Sequence, residues 1–222
     1  MSKFTLLERL KSMPREKLLL LIICGFYLFG LIFHIIPFTM SYMLLLTPLV
    51  LLVFGVLTLY PAWMEGNSRL WLWAACTYVI TLALEIVGVK TGRIFGAYHY
   101  GPVLGIKVLE VPLVIGFNWL IVVLGAVRMS EMISSKPLVS GVLAGAVCVV
   151  YDYALEPAAI GLDYWKWHSA GIPLQNYLAW FLIAAMSAWV YRHFRIGMVS
   201  VLPMYYVAVQ FIFFIGLQLF VI

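Results

Sequence analysis

Side chains capable of chemistry are scarce in this chain, so their positions carry information. Of the nine acidic residues, Glu8, Glu16, Glu65 and Glu131 fall in the N-terminal stretch or in polar connections. The other five, Glu85, Glu110, Asp152, Glu156 and Asp163, flank two long loops, Gly88–Glu110 and Glu156–Pro173, and are expected at one membrane face. Glu85 closes a long apolar run, where a charged side chain costs roughly 2.5–3.5 kcal/mol to insert into hydrocarbon. It reads either as a functional acid or as an interfacial carboxylate that snorkels or pairs with Lys90 or Arg93. Asp152 sits deeper, between Tyr151 and Tyr153, as an acid or as a buried acceptor for a tyrosine or an indole. Glu156 and Asp163 are expected in the loop, near the interface.

Aromatics and histidines crowd the same two loops, in Phe95-Gly96-Ala97-Tyr98-His99-Tyr100 and Asp163-Tyr164-Trp165-Lys166-Trp167-His168. An interfacial belt of tyrosine and tryptophan explains scattered aromatics. It explains less well why they bracket carboxylates in both loops. A cavity walled by π faces beside an acid suits a reaction through a carbocation, because the ring quadrupole attracts positive charge.

Other chemistries fit worse. All seven lysines lie in tails or loops, so no lysine in the last helix can form a Schiff base with a retinal-type cofactor. His34, His99, His168 and His193 lack the spacing of a di-iron hydroxylase or desaturase. There is no glycine-rich phosphate loop and no Asp-rich diphosphate motif. No cofactor or metal is expected, although a metal bridged by His99, His168 and the carboxylates stays open. Cys24, Cys76 and Cys148 stand singly in apolar runs and read as small core residues.

These groups need elements to hold them, and the composition says which. The 222 residues are 65% hydrophobic and 10% charged, whereas a soluble domain carries about a quarter charged residues. Too little polar side chain is present to cover a water-facing surface, so the solvent is mostly lipid. Apolar runs long enough to cross the hydrocarbon core occur at Leu18–Ile36, Tyr42–Tyr60, Leu70–Val87, Val111–Val127, Leu138–Leu155, Leu174–Tyr191 and Ile196–Ile222. The runs are continuous rather than alternating, which selects helices over a barrel. Pro37, Pro61 to Asn67, Pro102, Pro137 and Gly161 to Gly171 mark the turns between them.

The expected fold is an all-α polytopic transmembrane bundle of about seven helices. Residues 1–17 form a cytosolic tail without a signal-peptide cleavage site, and residues 18–222 form one transmembrane domain. The net charge of +5 is spread along tails and loops, which excludes a clustered nucleic-acid face. Ten basic residues fall on the side of the N-terminus and four, Lys90, Arg93, Lys107 and Lys166, on the other. The positive-inside rule then places the N-terminus in the cytosol. Gly141 and Gly145 form a small-xxx-small pair suited to a close helix contact.

The chain also echoes itself. One unit runs from Glu85 through an aromatic loop to Val111-Pro112-Leu113 and Asn118-Trp119. The other runs from Asp152 and Glu156 through an aromatic loop to Ile172-Pro173-Leu174 and Asn176-Tyr177. Both units cross the bilayer in the same direction, as a parallel repeat facing one cavity would.

Two signatures carry a family resemblance. The first is Glu85-Ile86-Val87-Gly88, Thr91-Gly92, Phe95-Gly96-Ala97-Tyr98-His99-Tyr100, Leu104-Gly105, Val111-Pro112 and Asn118-Trp119. The second is Asp152-Tyr153-Ala154-Leu155-Glu156-Pro157-Ala158, Trp165-Lys166-Trp167, and Gly171-Ile172-Pro173-Leu174-Gln175-Asn176 through Trp180. Together they resemble the membrane-bound carotenoid biosynthesis proteins, a family that includes CruF-type carotenoid 1,2-hydratases and bisanhydrobacterioruberin hydratase. The similarity covers Glu85 to Trp180, and the flanking helices match in hydrophobic character. Ala179 stands where the family pattern has glycine.

The resemblance implies cofactor-free addition of water to a terminal double bond of an acyclic or monocyclic carotenoid end group, a hydro-lyase chemistry. A carboxylic acid protonates the alkene, aromatic faces shelter the tertiary cation, water captures it, and a second group takes the released proton. Such an acid must hold its proton at working pH, which removal from water favours. Asp152 or Glu85 is expected as the acid, with the other positioning water or accepting the proton, and Glu156 as a further catalytic residue. Tyr98, Tyr100, Trp165, Trp167 and Trp180 are expected at the cation site, Trp119 as a further substrate-binding residue, and Asn118 and Asn176 as holders of water.

Expected partners are the carotenoid drawn from the bilayer, water, lipid and other enzymes of the pathway, with no nucleic acid. The expected location is a prokaryotic cytoplasmic membrane, crossed several times. A carotenoid end-group cyclase or other isoprenoid-modifying enzyme uses the same protonation. A non-catalytic carotenoid- or lipid-binding protein is the reading from a different class.

Overall fold

A computed structural model describes residues 14–222. Among these it contains seven helices: α1 Arg15–Ile35, α2 Pro37–Glu65, α3 Ser68–Thr91, α4 Leu113–Glu131, α5 Pro137–Gly161, α6 Leu174–His193 and α7 Leu202–Phe220. Six of them are long and apolar enough to cross a membrane. The seventh, α6, carries more polar residues and packs along the length of α5. The chain is an all-α polytopic bundle. Its outer surface is rich in exposed Leu, Ile, Val and Phe, most densely on α1 and α2, as lipid-facing helices require.

Helix ends follow local chemistry. Asn67 caps α3 by accepting from the backbone N–H groups of Arg69 and Leu70, which satisfies donors that the first turn leaves over. Gly66 and Gly92, both left-handed, close α2 and α3, where a side chain would be strained. Prolines moved some expected boundaries. Pro37 marks the break between α1 and α2 as expected, opening α2 at its first turn, where its missing N–H costs nothing. Pro61 lies inside α2 and Pro157 inside α5, so α5 runs to Gly161 and Glu156 is a helix residue rather than a loop residue. At the other end of the bundle, residues 196–201 precede α7 as an irregular linker. The Glu65 carboxylate holds that linker by accepting from the backbone of Val199 and Ser200. The expected tail lies outside the described residues up to Met13, and Arg15 to Lys17 already belong to α1.

α4 is the axis of the bundle. Every residue from Trp119 to Val127 is buried, and the helix packs against α2, α3, α5, α6 and α7. The two long loops are not irregular throughout. Strands β1 Tyr98–Tyr100 and β4 Trp165–Trp167 pair antiparallel, one from each loop, with Tyr98 opposite Trp167 and Tyr100 opposite Trp165. Strands β2 Lys107–Val108 and β3 Val111–Pro112 form a small hairpin that leads into α4. The β1/β4 ribbon lies across one end of the bundle. Strand alternation turns Tyr98, Tyr100 and Trp165 inward and leaves His99 and Lys166 exposed.

Candidate functional site

The three interior carboxyl groups stand beneath this ribbon. Glu85, Asp152 and Glu156 are 4%, 0% and 1% exposed. Among the described residues, the ion pairs are Arg128–Glu131, Arg192–Glu131 and Lys166–Asp163, so none of the three has a cation beside it. An uncompensated charge in an apolar interior is costly. Lys90 and Arg93 do not pair with Glu85. The other two acids of the expected cluster part company with these three, for Glu110 is exposed and Asp163 pairs with Lys166 at 2.8 Å on the outer side.

Each glutamate is held by its own loop. Glu85 Oε2 accepts from the Tyr98 hydroxyl and, at 2.7 Å, from the Tyr100 hydroxyl, while its Oε1 accepts from the Trp119 indole at 2.8 Å. Burial, reinforced by the Glu85 charge, pushes both phenols well above their ordinary range, so they stay protonated as donors. Glu156 Oε2 accepts from the Trp165 and Trp167 indoles at 3.1 and 2.9 Å, and its Oε1 from the Asn176 amide at 3.2 Å. The same amide nitrogen donates to Asp152 Oδ2 at 2.6 Å, and Asp152 Oδ1 has no partner among the described residues.

These contacts reveal how the two units correspond. In each, a glutamate near a helix end accepts from residues i and i+2 of the strand that follows: Tyr98 and Tyr100 in one, Trp165 and Trp167 in the other. Each re-entering helix is preceded by a proline with φ −64°, Pro112 or Pro173. Trp119 follows its proline by seven residues and Trp180 does the same, and the two indoles stack with centroids 3.8 Å apart. Antiparallel pairing of β1 with β4 is what an approximate two-fold axis between the units produces. The match expected between Asn118-Trp119 and Asn176-Tyr177 gives way to one between Trp119 and Trp180. Under that match Thr81 stands opposite Asp152, and Ile115 opposite Asn176. The second acid and its amide therefore belong to one half only.

A cavity of about 410 Å³ opens below the ribbon. Glu85, Glu156, Tyr98, Tyr100, Asn118, Trp119, Trp165, Trp167, Asn176 and Trp180 all line it. Asp152 does not; it stands behind Glu156, one turn back on α5, and reaches it through Asn176. The amide nitrogen of Asn176, expected to hold water, is thus committed to the two acids. His99 and His168 bond to each other at 2.9 Å on the exposed side of the ribbon.

The other wall of the cavity comes from helices that the sequence motifs do not reach. Phe26, Phe29 and Phe33 of α1 and Leu46 of α2 line it yet are 54%, 62%, 37% and 41% exposed, so the cavity has a mouth on the lipid-facing surface between α1 and α2. His34, Tyr27 and Gln210 also line it. Polar residues inside apolar runs are the signal that marks these three in the sequence. Tyr164, buried against Thr47 at 3.5 Å, closes the ribbon side, and burial raises its hydroxyl to about 12. Phe95 and Leu104, both within the first signature, complete the wall.

Over 117 residues the chain is 29% identical to bisanhydrobacterioruberin hydratase of Haloarcula japonica; the match takes in 47% of this chain and spans 38% of the length of that relative. No solved structure matches. Residues 38–221 match the family described as carotenoid biosynthesis protein, so the match extends beyond the two motifs to α2 and α7. A match of that extent, over all but the first helix and its approach, means that the chain belongs to the carotenoid biosynthesis protein family.

Proposed function

We propose that this protein is a carotenoid-modifying enzyme that adds water to a terminal C=C bond of an acyclic or monocyclic carotenoid end group. The observation that carries the reading is one aromatic-walled cavity, open to lipid, onto which two cation-free carboxyl groups face. A hydrocarbon end group can enter such a cavity from the bilayer while the polyene stays in lipid.

Both glutamates accept three hydrogen bonds, and the second acid beside Glu156 divides their roles. Glu85 takes three hydrogen bonds from neutral donors, an arrangement that favours its anion. Asp152 and Glu156 share one amide and have no cation. Two charges one helical turn apart repel strongly in a low-dielectric interior. The pair therefore keeps a proton between its members, and Glu156, which lines the cavity, delivers it. The proton bonds to the less substituted alkene carbon as the π bond breaks, leaving a tertiary cation beside the indoles of Trp165, Trp167 and Trp180. Water on Asn118 attacks that cation, and its surplus proton passes to Glu85. Exchange with solvent returns a proton to the Asp152–Glu156 pair. The sum is one water added to one double bond. The relative's printed name, a hydratase, supports the reading.

The test is expression of the chain alone in a bacterium that accumulates lycopene. A new, more polar pigment heavier by one water is the expected product. An isomer of unchanged mass would identify a cyclase instead. Unmodified lycopene beside folded, membrane-inserted protein would remove hydration of this end group.

A further inference from the structure

On the wall of the cavity formed by α1, α5 and α7, a second polar group lies in the apolar interior. Gln210, Tyr151 and Tyr206 are 0%, 1% and 1% exposed, and Tyr27 is 7% exposed. The Tyr27 and Tyr206 hydroxyls are 3.0 Å apart. Gln210 Nε2 donates to Tyr27 at 3.1 Å and to Tyr206 at 3.3 Å, while Tyr151 donates to Gln210 Oε1 at 3.0 Å. None of these contacts involves Glu85, Asp152 or Glu156.

Counting hydrogens shows that the cluster is incomplete. Its four contacts use one hydrogen each, but three hydroxyls and a primary amide supply five. The surplus persists whichever way the Gln210 amide is turned. The Asn118 amide on α4 lines the cavity as well and takes part in none of these contacts, so it adds two further hydrogens. Interhelical hydrogen bonding explains the contacts. It leaves unexplained the hydrogen without a contact where Tyr27, Gln210 and Asn118 line the cavity. A buried donor without an acceptor is costly, and an oxygen atom of a ligand in the cavity would remove that cost.

We propose that Tyr27, Gln210 and Asn118 form an oxygen-binding subsite, for a water or an alcohol, on this wall of the cavity. The inference rests on the hydration reading for its role. There the bound oxygen is first the attacking water and then the tertiary hydroxyl of the product. An oxygen already carried by the substrate would present the same acceptor, so the experiment separates the two sources.

The protein in nanodiscs is titrated calorimetrically with myrcene, which carries the terminal alkene, and with myrcenol, its tertiary-alcohol hydrate. Geraniol, with its hydroxyl at the other end, is the third ligand. The subsite predicts that myrcenol binds about tenfold more tightly than myrcene, since a site built for a hydroxyl rejects the analogue lacking it. Tyr27→Phe and Gln210→Leu should abolish that preference and keep wild-type affinity for myrcene, which also certifies the fold of the variants. A preference for geraniol that the same variants remove supports the subsite with an oxygen of the substrate as its ligand. Equal affinity for alkene and both alcohols, or a preference that survives both substitutions, overturns it. Failure of hydration in the lycopene host with the alcohol preference intact would count against the hydratase reading alone.

Discussion

At the scale of single residues, the three interior acids differ in what they touch, and the differences predict different losses. Glu85 and Glu156 each line the cavity, so Glu85→Gln and Glu156→Gln should each lower turnover by roughly 10²–10⁴-fold, the usual contribution of a positioned proton donor or acceptor. Both variants should still co-purify with carotenoid, since an amide fills the same space. Asp152→Asn should lower turnover as well, through Glu156, because it removes the charge whose repulsion keeps a proton on the pair. Its side chain acts through Asn176 and can still bond to that amide after turning. Product formed per unit of folded protein in the lycopene-accumulating host measures all three. A larger loss in Asp152→Asn than in Glu156→Gln would move the donor role to Asp152.

At the scale of elements, the site depends on how closely α5 and α6 approach, because Asp152 and Glu156 are on one and Asn176 on the other. A Cβ at Gly141 would lie 2.8 Å from the Ala185 carbonyl oxygen, and one at Gly145 2.8 Å from the Phe181 carbonyl oxygen. Backbone meets backbone there, as the small-xxx-small spacing anticipates. Gly145→Val should push the helices apart, cost about 1–3 kcal/mol as overpacking does, and withdraw Asn176 from both acids. The expected outcome is a lower thermal midpoint in detergent together with lost turnover. Gly171→Ala, where a Cβ meets nothing within 4 Å, is the matched control and should change neither. The ribbon is equally tight. A Cβ at Gly101 would lie 2.0 Å from the Asp163 carbonyl oxygen, beside the bond from the Gly101 N–H to the Tyr164 carbonyl.

At the scale of the whole molecule, the bundle is a pair of related units completed by three further helices. α3, α4, α5 and α6 carry the acids, the ribbon and the stacked tryptophans. α1, α2 and α7 supply the lipid-facing mouth and the wall with Tyr27 and Gln210. Access and chemistry are thus assigned to different parts of the chain, and they should respond to mutation separately. Gly30 lines the mouth, and a Cβ there meets the Phe213 ring only at 3.6 Å, so a larger residue fits without breaking the fold. Gly30→Leu should narrow the entrance, raising KM by about tenfold with kcat nearly unchanged, the pattern of impaired binding. A fall in kcat with constant KM would place Gly30 near the reacting end group.

The sequence by itself determined the solvent, the helix count and the address of the chemistry. Hydropathy is a local property, so the apolar runs fixed the spans, while their ends awaited the caps at Asn67, Gly66 and Gly92 that the structure shows. The scarcity of charge made Glu85, Asp152 and Glu156 legible, because an acid in an apolar run needs a reason. Proline misled at Pro61 and Pro157, since the rest of the bundle can absorb one lost bond in a helix interior. Tertiary structure alone decided which faces meet. In helices that are apolar all round, both lipid and core accept the same side chains, and no polar stripe shows which face turns inward. That is why the stacking of Trp119 on Trp180, the retreat of Asp152 behind Glu156 and the wall from α1, α2 and α7 were hidden. The ribbon was hidden for a related reason. β1 and β4 lie more than sixty residues apart in the chain, and short strands acquire their register only from the partner they find.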